Sequence, residues 1–462
     1  MQTHQSGTNA QGKRWKPFES RIVLFGWSLL YALSLNYCLS AYASVWWSEY
    51  GFTSSDFDLW KWFAASLSIL LWTSVLPKRI KNASSLFLIT IYHFVGIPAL
   101  VAITSLENMY GVDRSSLLPS LTLGFFLSCI IQKRSLSVSL NRAFPSWFPV
   151  TLTIVWLLCA IFLIKSFAGV MQFEGLDNIY AQREAGKAEG LIQGYAQTYF
   201  GYVLSPALLA FGLYQRRPLF ILVGIVGALI LYAITAEKAV IMYPLFISAM
   251  FVLMRRLSKH TVSAISITAS FSFLLTIAVT FYQHSTVAEF ISWYLGSRTL
   301  LMPGIFVVHY WDQFSIDGNT LWSQLKGFNL LIQTPPQYLG DERWPSLGLI
   351  VGELHLGVPT FNVNASFIAS DGIASFGAIG ILIAFLVFSL FLSILDYVSS
   401  GFDPILLVPL LVPLSLNLTN GSLFTALTSF GGLFWIICFV FFTRRKVGAD
   451  NFLSHTRTLP KS

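Results

Sequence analysis

Twelve apolar stretches, most of them approaching the length of a membrane span, run through this chain at about 22–47, 60–76, 83–104, 117–131, 147–167, 195–214, 219–235, 239–254, 262–282, 373–395, 404–420 and 423–443. A helix of roughly 20 apolar residues crosses a hydrocarbon core. Helices satisfy their own backbone polar groups, which lipid cannot do for them. Composition agrees: only 11% of residues are charged and mean hydropathy is +0.66, whereas a soluble chain carries roughly a quarter charged. The expected fold class is an all-α integral membrane protein of about 12 transmembrane helices. The stretches 60–76, 117–131, 239–254 and 404–420 are short and need flanking residues to span.

Lysine and arginine decide the orientation, because cytoplasmic connections carry the excess of both. With the N-terminus inside, alternate connections place 20 of the 29 basic residues on the inner side with four acids. The other nine bases fall on the outer side with 17 acids. Both termini are therefore expected in the cytoplasm. The pI of 9.2 reports this topology and implies no nucleic-acid partner. Cys38, Cys129, Cys159 and Cys438 fall inside predicted helices, so no outer disulfide framework or cysteine metal spacing is expected. The first stretch is too long for a cleaved signal peptide, although Ala41-Tyr42-Ala43 resembles a cleavage site. It reads as an uncleaved anchor. The layout is a cytoplasmic tail 1–21, one bundle 22–443 and a cytoplasmic tail 444–462.

Two outer connections are long, 168–194 and 283–372. Loops of this size are usually functional or disordered. The second carries Trp293, Tyr294, Trp311, Phe314, Trp322, Phe328 and Trp344, a composition suited to a folded loop, a membrane-interface belt or a surface that stacks sugars. The two loops have no counterpart elsewhere in the chain, and there is no internal repeat, which speaks against a transporter built from inverted halves.

Because bases are depleted on the outer side, those left there need an acidic partner, a snorkelling position or an anionic ligand. In the first loop, Arg183, Lys187, Gly190 and Gly194 are spaced four, three and four, so on a helix they share one face. The cations would hold a phosphate and the glycines would allow close backbone approach. An amphipathic helix with Arg183 and Lys187 neutralised by Glu184 and Glu189 fits the same spacing. Lys238 lies in a turn between two helices, Thr235-Ala236-Glu237-Lys238, either as a cation at the outer interface or as one half of a Glu237–Lys238 cap. In the large loop Arg298 stands in an apolar run, where a guanidinium is costly unless paired. His309 and His355 are candidate general bases, with a structural role the alternative. Asn364 and Asp371 are seven apart and would face one way on a helix. No metal or other cofactor is implied.

The twelve-helix plan, the medium loop after the fifth helix and the large loop after the ninth resemble the O-antigen polymerase (Wzy) family. Arg183 and Gly194 match that family's R-x10-G pattern in the first loop, and Arg298 stands where a second arginine pattern is expected. The residue eleven after Arg298 is His309 rather than glycine, so the second pattern is only partly met. Related O-antigen ligases carry a histidine just before the helix that follows the large loop. Here Asn362 and Asn364 occupy that stretch and His355 lies earlier, which leans towards polymerase. The resemblance implies a GT-C-like membrane glycosyltransferase of the bacterial inner membrane, working on its periplasmic face without a cofactor. It would join undecaprenyl-pyrophosphate-linked repeat units, with Arg183, Arg298 and Lys238 at the pyrophosphate and His355 or His309 as base. Lys187, Gly194 and Asn364 would complete the substrate site. A Wzz-type chain-length regulator and a flippase would be its partners.

Three other readings compete: a ligase, a flippase or transporter, and a metal-dependent lipid-linked glycosyltransferase using Asp56, Asp58 and Glu49. All depend on the same topology. Reporter fusions after Gly175 and Asn319 should report the outer side, and fusions after Lys81 and Arg256 the cytoplasm. A cytoplasmic signal at Asn319 would put the large connection in the wrong compartment.

Overall fold

The computed structural model describes residues 17–48, 52–134, 142–173, 179–188, 190–257, 261–357 and 361–445. Most of both tails lies outside these residues. Among them the protein is all-helical, and the strands are two-residue pairs. Eight helices are long and apolar enough to cross a membrane: Ser20–Trp46, Ala83–Ser105, Phe148–Phe167, Pro218–Thr235, Lys238–Arg256, Ala264–Phe281, Thr286–Asp317 and Ile368–Ser399. Leu59–Val75, Leu117–Lys133, Pro404–Asn417 and Gly432–Phe441 are shorter apolar helices. The protein is an integral membrane protein by these helices.

The bundle is organised around Ala83–Ser105. Its most apolar window is 94% buried, against 28% for Phe148–Phe167 and for Lys238–Arg256, whose outer faces are left for lipid. Polar side chains inside the bundle are bonded at close quarters. His93 joins the Ile89 carbonyl and the Thr268 hydroxyl, each at 2.8 Å. Ser34, Ser68 and Thr104 bond back to carbonyls four residues earlier.

The two ends of the bundle differ in charge. At one end Arg21 donates to the Thr73 and Leu76 carbonyls. Arg79 pairs with Ser263 and Arg142 with Arg445 in the short strands, and Asn82 donates to Asp396. These connections all belong to the side that the charge count makes basic. At the opposite end Ser55 meets Ser105, Tyr282 meets Ala41, and Arg114 meets Asp312. Connections expected to share a side thus share an end of the bundle.

Within the stretch 283–372, Thr286–Asp317 is a 32-residue helix packed into the bundle. Glu289, Arg298, His309, Asp312 and Asp317 are spread along this helix and weaken its apolar character in sequence, and tertiary packing holds it in the bundle all the same. Gly304 lies against Ala83–Ser105 so closely that a β-carbon there would fall 2.2 Å from the Pro98 carbonyl carbon. Small residues of this kind let membrane helices approach. Glycine is required here.

Arg114 holds the far end of this helix with a two-pronged pair to Asp312, Nε to Oδ1 at 2.9 Å and Nη2 to Oδ2 at 2.5 Å. The side chains are only 10% and 2% exposed. Removing one partner of a buried pair strands the other charge, at a cost of roughly 3–5 kcal/mol, whereas apolar replacement of both is often tolerated. Arg114→Ala should therefore lower the melting temperature of the detergent-solubilised protein markedly. The double variant Arg114→Met with Asp312→Leu should melt higher than that single variant, and a lower melting point would show that the pair is not the tie.

Candidate functional site

The site begins with a helix turn. The helix Pro218–Thr235 is closed by Ala236 in the left-handed region at φ 50°, and its N–H bonds the Tyr232 carbonyl at 2.8 Å. The next residue, Glu237, caps the helix Lys238–Arg256. So tight a reversal puts a carboxylate and an ammonium side by side in sequence, and the structure sends them to different partners. Tyr202 donates its hydroxyl to Glu237 in a very short hydrogen bond. Lys238 Nζ lies 5.7 Å above the Trp293 ring and 6.0 Å above Tyr294. The Glu237–Lys238 cap is absent among the ion pairs of the described residues.

The short helix Ile179–Ala185 is laid across this turn. The Gln182 amide donates to the Ala233 carbonyl at 2.7 Å, and Arg183 Nη2 to the Ala236 carbonyl at 3.3 Å. Gly186 permits the contact: a β-carbon there would fall 1.9 Å from the Ile234 oxygen. Arg183 consequently acts electrostatically on both Glu237 and Lys238.

Arg298 completes the group from the other side. It belongs to a ten-residue π-helical segment, Ser292–Leu301, inside Thr286–Asp317. Such widened turns are frequent at functional sites. The Arg298 guanidinium lies 5.9 Å from the Trp293 ring centre and its charge also reaches Lys238. Arg183, Lys238 and Arg298, distant in sequence, therefore converge on one half-buried patch with Trp293 and Tyr294 between them. Neither Lys238 nor Arg298 has a carboxylate at ion-pair distance among the described residues. Three cations gathered at a partly dry surface attract an anion with several acceptor oxygens.

Other expected site residues do not join them. The helix carrying Arg183 ends at Ala185 and another starts at Leu191, so Arg183, Lys187, Gly190 and Gly194 share no face. Lys187 is exposed and pairs with Glu184 at 3.3 Å. Gly194 meets nothing closer than the Ala188 methyl at 3.8 Å. Asn364 is exposed and precedes the helical segment that begins at Ile368, so it shares no face with Asp371. Asp371 accepts from the Leu423 N–H at 2.6 Å and serves as a helix cap.

The two histidines form a separate buried cluster. Their rings stack at 4.3 Å, with Tyr110 against His355 and Phe52 against His309. Burial and then the nearby Arg114 charge push His355 down to about 4, so it is neutral and weakly basic at neutral pH. His309 stands eleven residues beyond Arg298, roughly 15 Å along a helix. Both are removed from the cations. Of the loop aromatics, Trp311 donates to the Asp113 carbonyl, Trp322 to the Asp371 carbonyl, and Trp344 stacks on Tyr338. These serve packing, leaving Trp293 and Tyr294 at the patch. Asp58, half of the acidic pair Asp56 and Asp58, caps the helix Leu59–Val75. No group of three or more potential metal-ligating side chains occurs among the described residues.

An open apolar groove of about 420 Å³ is lined by Val155, Cys159, Ile192, Tyr195, Tyr199 and Phe434 among others. No cation lines it, but Tyr199 is one helical turn from Tyr202, which reaches Glu237.

The geometry favours Gly186, which the spacing argument passed over, above Gly194, which it selected. Gly186→Ala forces a β-carbon into a backbone carbonyl and should cost about 1–3 kcal/mol of overpacking. Gly194→Ala lies within a helix with open space around it and should gain about 0.5–1 kcal/mol. Thermal unfolding in detergent should show a lower melting temperature for Gly186→Ala and an unchanged or higher one for Gly194→Ala; the reverse order would remove Gly186 from the contact. Comparison with known proteins places the chain in no family, since no family model, curated protein or solved structure matches it.

Proposed function

We propose that this protein is a polymerase of lipid-linked oligosaccharides. It transfers a growing glycan from one undecaprenyl-pyrophosphate carrier to a hydroxyl of a second carrier-linked repeat unit on the periplasmic face of the bacterial inner membrane, as in the O-antigen polymerase family. The observation that carries this reading is the convergence of Arg183, Lys238 and Arg298 at the end of the bundle opposite the basic connections. Cleaving a glycosyl–pyrophosphate bond leaves negative charge on phosphate oxygens. Fixed cations at that position stabilise the charge more in the transition state than in the ground state, which is what lowers the barrier.

Each cation has a distinct task. Arg183 and Arg298 offer planar forks that match two phosphate oxygens, while Lys238 offers a point charge between them. Trp293 and Tyr294 hold the cations from one side and offer flat faces to the first sugar. The apolar groove along the helix 191–199 suits a polyprenyl chain entering from lipid. Lys187, Gly194, Asn364, His309 and His355 have no part in this reading, because their surroundings keep them from the cations.

Purified protein should convert carrier-linked repeat units into longer chains and bind undecaprenyl pyrophosphate. Arg183→Ala and Arg298→Ala should each lower turnover by roughly 10²–10³-fold, the usual loss for one transition-state donor. Lysine at either position should rescue only in part, since an ammonium cannot reproduce a two-pronged contact. In cells, loss of polymer with single repeat units still attached to the surface indicates a polymerase; loss of every attached unit would favour a ligase or flippase. An Arg298→Ala protein that makes full-length polymer would overturn the assignment.

A further inference from the structure

A glycosyl transfer that expels pyrophosphate also needs somewhere for the acceptor proton to go. The histidines lie away from the cations, and Asp371 is committed to a helix cap. Glu353 is committed to Arg343, with which it makes a very short ion pair. Among the described residues, a carboxylate next to Lys238 and within electrostatic reach of Arg183 is that of Glu237. Glu237 is fixed by the reversal at Ala236, receives the Tyr202 hydroxyl, and is half-buried. The charge of Arg183 reaches it across the Ala236 carbonyl.

We propose that Glu237 is the general base that accepts the proton of the acceptor hydroxyl. This rests on the polymerase reading above. In the step, the acceptor oxygen forms a bond to the anomeric carbon of the donor glycan as the bond from that carbon to the pyrophosphate oxygen breaks. The hydroxyl proton passes to the Glu237 carboxylate, and undecaprenyl pyrophosphate leaves with the electron pair, held by Arg183, Lys238 and Arg298. Arg183 faces both the carboxylate and the leaving group, so proton acceptance and charge departure are joined through one guanidinium.

The titratable and charged groups facing Glu237 set its behaviour. Tyr202 comes from the helix 191–215, Tyr243 from its own helix and Arg183 from the helix laid over the turn. Lys238 follows Glu237 in sequence and is itself faced by Arg298 and Arg183. Burial raises the Glu237 carboxyl above the usual carboxylate range, while the Tyr202 hydrogen bond and the Arg183 charge oppose the rise. A base works deprotonated. Turnover should therefore fall as pH drops through that raised value, giving an acid limb above the ordinary carboxylate region.

The test uses the full-length protein in detergent or nanodiscs, with carrier-linked repeat units from a strain lacking it as substrate and undecaprenyl pyrophosphate as binding probe. Glu237→Gln should lower kcat at least about 100-fold, abolish the acid limb and leave carrier binding within about threefold of the parent. Glu237→Asp should keep part of the rate. Tyr202→Phe removes an opposing hydrogen bond and should move the acid limb to higher pH. If the parent elongates chains and Glu237→Gln does so within about threefold, or keeps the same limb, the proposal is overturned while the polymerase reading stands. If Glu237→Gln fails to fold, Tyr202→Phe decides, and an unmoved limb overturns the proposal. A parent that neither elongates chains nor binds the carrier overturns the polymerase reading itself.

Discussion

Hydrocarbon offers no hydrogen bonds, and the rest of this structure follows from that constraint. Every backbone segment at membrane depth must satisfy its own N–H and C=O groups, and helices do so locally. The same rule governs side chains. Hydroxyls such as Ser34 and Ser68 turn back to the carbonyls of their own helices, and His93 is held at both ring nitrogens. Charge is confined to the ends of the bundle or paired, as Arg114 is with Asp312.

Against that background, a cluster of cations at one end has meaning. Lys238 and Arg298 lie over the same Trp293 ring, and Arg183 is held above the turn that bears Lys238. Bringing like charges together is unfavourable by itself, and cation–π contacts of roughly 0.5–2 kcal/mol do not remove the repulsion. A bound anion does. The patch is built from three separate segments, each held by backbone contacts, so its geometry exists before a ligand arrives. Preorganisation of this kind is what lets fixed charge favour a transition state.

Glu237 belongs to the same logic. A carboxylate placed among three cations would ordinarily cancel one of them. Here Tyr202 draws it aside from Lys238, and the extended backbone of Glu237, just before the helix that Lys238 begins, separates the directions of the two side chains. The carboxylate and the ammonium are thus neighbours in sequence that do not cancel as an ion pair.

Much of the fold was legible in the sequence because lipid imposes a compositional rule that survives without tertiary information. The apolar stretches came from residue type and spacing alone, and the same reading singled out Arg183, Lys238 and Arg298 as cations in an acidic setting. What spacing could not determine was which residues meet. Thr286–Asp317 looked like loop because its polar groups are satisfied by distant partners, such as Arg114 for Asp312, that only packing supplies. Gly194 and Gly186 are equivalent in composition, but only Gly186 faces a backbone carbonyl, because the helix stops at Ala185. Glu237 and Lys238 are adjacent in sequence and read as a pair. The tertiary structure parted them, because Tyr202 and Trp293 arrive from separate helices and each side chain turns to the partner within its reach.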